Sequence, residues 1–130
     1  MSARWRSRTM TDRRAAERHG RRSETWAALL LRLKFYRILG RRVRTPLGEI
    51  DLVARAPSGV LCFVEVKART QEGQIADAIG PRQRGRIARA AELYIAARPG
   101  VAKKGVRFDV VSVAQGHLPR HMRDAWRADD

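Results

Sequence analysis

Two periods of apolar residues alternate along the chain and mark out its elements. From Ser23, the residues Trp26, Ala27, Leu30, Leu31 and Lys34 step round at helical spacing, which predicts a helix whose apolar stripe faces a sheet, with Trp26 in the core. Ser23 suits its N-cap, and Glu24 falls in the first turn, where the helix dipole favours an acid. Residues 36–43 read as a short strand, with Ile38 and Val43 apolar among arginines, before Pro46 and Gly48 break the pattern. Two strands follow, over 49–55 and 60–67, rich in Val, Ile, Leu and Phe and joined by the turn Ala56-Pro57-Ser58-Gly59. A helix over 76–98 carries Ile79, Ile87, Ala90, Ala91, Tyr94 and Ile95 on its inner side and stops at Pro99-Gly100. A strand over 107–113 comes next, and a crossover of this length predicts that it pairs parallel within the same sheet. Beyond Gln115 the polar pattern defines no element. Residues 1–20 lack a sustained apolar face, so they read as a flexible basic arm in front of a single domain over 21–130.

Composition narrows the class. The chain has 130 residues, 44% of them hydrophobic, enough for one domain with one core. Its longest apolar runs, 26–31 and 60–64, are far shorter than the ~18–20 residues that span a bilayer, and no secretory leader pattern is present. A cytoplasmic protein without a membrane partner is therefore expected. The single cysteine, Cys62, excludes an intrachain disulfide and a multi-cysteine zinc site, and its place on an apolar strand face makes it core rather than nucleophile. Net charge is +15, divided as +11 over residues 1–44, −2 over 45–77 and +6 over 78–130. Basic flanks around an acidic middle suit a metal-dependent enzyme acting on nucleic acid; the bland alternative is well-solvated helices around an acidic stretch of no significance.

The hairpin holds the candidate chemistry. Strand alternation puts Glu49, Asp51 and Val53 on one face and Ile50, Leu52 and Ala54 on the other; in the next strand Leu61, Phe63, Glu65 and Lys67 oppose Cys62, Val64 and Val66. With the turn centred on Ser58, Asp51 lies across from Glu65 and Glu49 across from Lys67, with Cβ atoms about 4.5–5.5 Å apart. Opposed carboxylates repel unless a cation sits between them, and Mg²⁺ or Mn²⁺ held by Asp51 and Glu65 is a natural occupant. Lys67 could then position a water or steady charge on a phosphorane-like transition state. The competing reading is a set of cross-strand salt bridges, Glu49–Lys67 among them, on a solvated face. Arg82, Arg84, Arg86 and Arg89 could track a phosphate backbone or simply solvate a helix. His117 and His121 have metal-like spacing without a third ligand, so they read as structural or solvated. Trp5 and Trp126 lie in weakly specified ends, where base stacking is one available role.

The strings Gly48-Glu49-Ile50-Asp51-Leu52-Val53-Ala54 and Phe63-Val64-Glu65-Val66-Lys67-Ala68-Arg69 resemble the UPF0102 (YraN-like) family. Pro81-Arg82-Gln83, Ala90-Ala91, Tyr94 and Arg107-Phe108-Asp109-Val110-Val111 match as well, and the likeness covers about residues 20–125. The resemblance implies an α/β, restriction-endonuclease-like fold of the PD-(D/E)XK superfamily, with a mixed central sheet flanked by helices, similar in layout to Holliday-junction resolvases. It implies Asp51 and Glu65 as metal carboxylates, Lys67 as catalytic lysine, Glu24 as a further acid at the site and Gln83 as a residue that orients water or a base. The chain departs from the family pattern at Ser23 and Phe35, where glycine is usual, and at Arg42, where asparagine is usual. The expected activity is Mg²⁺- or Mn²⁺-dependent cleavage of DNA, with branched DNA as a candidate substrate; junction cleavage would need two active sites and hence a homodimer. The alternatives are a non-catalytic nucleic-acid-binding protein on the same fold and an RNA- or ribosome-associated adaptor.

Overall fold

The computed structural model describes residues 10–69 and 79–128, with backbone alone for residues 10–21 and for Arg69. Two helices, α1 (Met10–Leu33) and α2 (Pro81–Ala96), accompany five strands: β1 (Arg37–Thr45), β2 (Gly48–Arg55), β3 (Leu61–Arg69), β4 (Val106–Ala114) and β5 (Arg120–Trp126). The strands form one sheet in the order β1-β2-β3-β4-β5. Only β3 and β4 run parallel, joined through α2; the other three pairs are antiparallel. This is the expected α/β architecture, a mixed sheet with a helix on each face.

The apolar alternation sorts the core into two layers. Val53, Leu61, Phe63, Phe108 and Val110 pack with Ile87, Ala90, Ala91 and Tyr94 of α2. Leu52, Ala54, Cys62, Val64 and Val111 pack with Ala27, Ala28 and Leu31 of α1, where paired alanines let the helix backbone approach the sheet. The β2–β3 register, Leu52↔Val64 to Arg55↔Leu61, is the one expected from a turn centred on Ser58. Gly59 supplies that turn with a φ of 96°, a conformation that costs a glycine nothing.

Four expectations are corrected. Helix α1 begins at Met10, so Ser23 is not its cap but a buried interior residue; the Arg/Ala/Glu-rich stretch before it favours helix by propensity without showing an apolar stripe. Of the arm expected over 1–20, residues 1–9 lie outside the described residues. The second helix, expected over 76–98, starts only at Pro81, after an extended Gly80, and ends at Ala96; residues 76–78 lie outside the described residues. Trp26 is 55% exposed, because Ala27, Ala28 and Leu31 occupy the inner side of α1. The segment after Gln115 contains β5, an edge strand whose charged outer positions mask its period, and its Trp126 is buried in a stack on Phe108. Trp5 lies outside the described residues.

A buried polar network fastens β5 and the end of α1 to the sheet. Asp109 is fully buried and accepts hydrogen bonds from Arg107 Nε (2.8 Å) and Nη2 (2.9 Å), the Asp124 backbone N–H (2.9 Å) and His121 Nε2 (2.8 Å). Those bonds outweigh the upward pull of burial and hold its carboxyl below the usual range. His121 Nδ1 meets Lys34 Nζ, and Arg107 Nη2 donates to Tyr36 Oη at 2.6 Å. His121 is thus structural, as expected.

Candidate active site

The site forms where β2 and β3 cease to pair. Beyond Leu52↔Val64 the Val66 N–H donates to Asp51 Oδ2 at 2.8 Å, so a side chain of β2 satisfies a backbone donor of β3. Ile50 accordingly packs with the α2-side layer beside Val53, and not with Leu52 and Ala54 as strict alternation requires. Asp51 and Glu65 are near enough to influence each other's ionisation, although the β2–β3 pairing stops at Leu52↔Val64, short of them.

Both carboxyls lie in a poorly solvated place. Burial raises Asp51 above the ordinary carboxylate range, against the Val66 N–H, which pulls the other way. Glu65, 8% exposed, is pushed up to about 8, first by burial and then by the charge of Asp51, with Lys67 opposing. At neutral pH the pair therefore holds a proton that a divalent cation would displace. Two hard carboxylate donors suit Mg²⁺ or Mn²⁺ completed by water and phosphate. Among the described residues no three His, Cys, Asp or Glu side chains form a group that could hold a metal ion.

Lys67 and Gln83 close the cluster. Gln83, in the first turn of α2 after Pro81, donates from Nε2 to Glu65 Oε1 (2.9 Å) and accepts from Lys67 Nζ at Oε1 (3.1 Å). Lys67 Nζ also stands 3.7 Å from Glu65 Oε1. The amide thus spaces the ammonium from the carboxyl. Glu49 does not join Lys67; it is exposed and pairs with Arg44 at 3.3 Å. Glu24 is buried, and Arg42 Nε binds both its oxygens at 2.9 and 3.1 Å. Nothing in the sequence pattern signalled this partnership, which joins two residues of different elements.

The four arginines of α2 divide. Arg84 turns its Nε to the Ile79 carbonyl at 3.0 Å, whereas Arg82, Arg86 and Arg89 are exposed at i, i+4 and i+7 on one stripe. That stripe starts beside Gln83. A cavity of about 340 Å³ lined by Ala91, Ile95, Phe108 and Trp126 lies toward the other end of α2 and includes none of the charged cluster. No described helix is long and apolar enough to cross a membrane.

The profile described as "Uncharacterised protein family UPF0102" matches residues 23–113. The chain belongs to the UPF0102 family. A UPF0102 protein of Parvibaculum lavamentivorans is 50% identical over 113 residues, covering 87% of this chain and 84% of its own. One of Agrobacterium fabrum is 47% identical over 114 residues (88% and 93%), and one of Paramagnetospirillum magneticum 49% over 119 residues (88% and 92%). The UPF0102 match contains Glu24, Arg42, Asp51, Glu65, Lys67, Gln83 and the arginine stripe, while β5 lies beyond it.

Proposed function

We propose that this UPF0102 protein is a metal-dependent phosphodiesterase acting on DNA, of the restriction-endonuclease-like kind, with branched DNA as a candidate substrate. The observation that carries the reading is the cluster at the end of the hairpin: the half-buried Asp51 and the buried Glu65, their carboxyls coupled, with Lys67 spaced from Glu65 by Gln83. An ordinary solvated salt-bridge face would have neither the burial nor the raised Glu65. The exposed stripe Arg82, Arg86 and Arg89 supports a phosphate backbone running past the site.

Asp51 and Glu65 would hold Mg²⁺ or Mn²⁺, which when bound supplies a Lewis acid for the phosphate and an activated water. Glu65 would hold such a cation in its deprotonated form. Lys67 keeps its ammonium near the scissile group, where it opposes the negative charge that grows in the transition state. Gln83 acts as a positioning residue: its two hydrogen bonds fix the distance between Lys67 and Glu65. On a four-way junction the reaction needs two such centres, so the proposal there includes a homodimer.

The test is a cleavage assay with Mg²⁺ and Mn²⁺ on duplex, flap, junction and single-stranded DNA. Wild type should cut at least one of these, and Lys67→Ala should cut it ~10²–10³ times more slowly at saturation. Its DNA affinity should change by well under tenfold, since Lys67 is one cation among 28. No cleavage of any shape with either metal would turn the conclusion to a non-catalytic nucleic-acid-binding protein.

A further inference from the structure

Glu24 lies on the helix whose Ala27, Ala28 and Leu31 pack against Leu52, the neighbour of Asp51, yet the two acids are treated differently. Arg42 lies across from Asp51 in the β1–β2 ladder, between the pairs Arg41↔Leu52 and Val43↔Ile50, yet its Nε binds both oxygens of Glu24, while Asp51 accepts from the Val66 N–H. The pair is shielded: the Glu24 side chain is 8% exposed and that of Arg42 31%. Arg42 occupies this place in a left-handed backbone conformation, φ 50°, which costs a residue with a Cβ of the order of 1 kcal/mol within a strand. A guanidinium keeps its charge at every pH at which the protein is folded, so the partner cannot release Glu24 by losing a proton. Nor does Glu24 form with Asp51 and Glu65 a group that could hold a metal ion.

We propose that Arg42 is a built-in cation that withholds Glu24 from the metal site, so that the centre takes a single divalent ion on Asp51 and Glu65 while a guanidinium holds the place beside Glu24 where another cation would sit. The inference rests on the metal site proposed above and adds to it the number of ions and the residue that sets it. Three acids near one another can be neutralised by two metal ions or by one metal ion and one permanent organic cation. This chain has the second arrangement, and Arg42 is a positioning residue that acts through Glu24.

The test is a calorimetric Mn²⁺ titration of the full chain, with bound ions counted by the loss of free-Mn²⁺ paramagnetic resonance. Wild type should bind one ion, and Asp51→Asn should weaken it more than about tenfold. Arg42→Asn removes the cation and leaves a residue that tolerates left-handed backbone. It should bind a second ion, or the first about tenfold more tightly. The double variant Arg42→Asn/Glu24→Gln leaves no orphan charge, and so remains informative if Arg42→Asn alone fails to fold. It should return to one ion with an affinity within about threefold of wild type.

The proposal is overturned if the double variant loses Mn²⁺ as Asp51→Asn does, because Glu24 is then a ligand. It is also overturned if folded Arg42→Asn binds as wild type does. If neither wild type nor Arg42→Asn binds Mn²⁺, the metal reading itself fails and takes this inference with it. A wild type that binds one Mn²⁺ through Asp51 keeps that reading alive whatever Arg42 does.

Discussion

At the scale of the residue, Phe35 shows how a local conformation selects an amino acid. Helix α1 ends with the Tyr36 N–H bonded to the Leu31 carbonyl and the Phe35 N–H to that of Arg32, both at 2.9 Å. This is a Schellman motif with Phe35 at the left-handed position, φ 68°, where glycine is favoured. The side chain is 85% exposed, so removing it forfeits little packing. Phe35→Gly should therefore stabilise the protein by about 1 kcal/mol, read as a higher urea midpoint at unchanged slope. Glu65 provides a second measurement. Its carboxyl is raised in the folded state to about 8 from an unfolded value near 4.5, so the folded form holds a proton that the unfolded form has lost between those two values. Stability from this group is full below the lower value and declines as pH rises through the upper one. The metal-free melting temperature should fall between pH 5 and 8 more steeply in wild type than in Glu65→Gln, and millimolar Mg²⁺ should oppose the fall. The departures at Phe35 and Arg42 could be read in the sequence as unusual residues, but their positive φ could not, because the strain belongs to the backbone path.

At the scale of the element, alternation was legible and handedness of burial was not. The hairpin register followed from the turn, since a period of two ties each side chain to a face once one pair is fixed. The inner face of α1 was harder: Trp26, Leu29 and Leu33 sit at helical spacing too, and they point outward because the sheet accepts the smaller Ala27 and Ala28. Strand β5 was lost to its charges, which its place at the sheet edge permits. What holds β5 is the Asp109 network, in which a fully buried carboxylate joins β4 to His121 and to the Asp124 backbone. Asp109→Asn would leave Arg107 without its counter-ion in a largely dry place, at a cost of about 3 kcal/mol. A urea titration should show the midpoint falling, and hydrogen exchange should accelerate in β5 ahead of β2 and β3.

At the scale of the whole molecule, charge and chemistry are separated. Two acids of the middle segment, Asp51 and Glu65, carry the cluster, while the basic excess lies in the segments on either side. If the N-terminal residues and the α2 stripe together meet about six phosphates, log K for DNA should fall with log salt at a slope near −5. Deleting residues 1–20 should reduce that slope and weaken binding, yet leave cleavage at saturating DNA nearly unchanged. Affinity indifferent to salt between about 50 and 200 mM would contradict this electrostatic account. Asp51, Glu65 and Lys67 were legible because one hairpin carries them all. Gln83 entered only through the family resemblance, since it comes from another segment, and the grip of Arg42 on Glu24 left no trace in spacing or composition.

That the three charged residues of the cluster share a single hairpin bears on how the chain acquires its structure. A four-residue turn is a short loop to close, whereas the parallel pairing of β3 with β4 must wait for a crossover through α2. The carboxylates can therefore meet while most of the chain is still unfolded, before Gln83 or Glu24 has arrived. A divalent ion would stabilise such a hairpin in the transition state for folding as well as in the native protein. Mg²⁺ should accordingly speed refolding more than it slows unfolding, and in stopped-flow traces Asp51→Asn should abolish the acceleration.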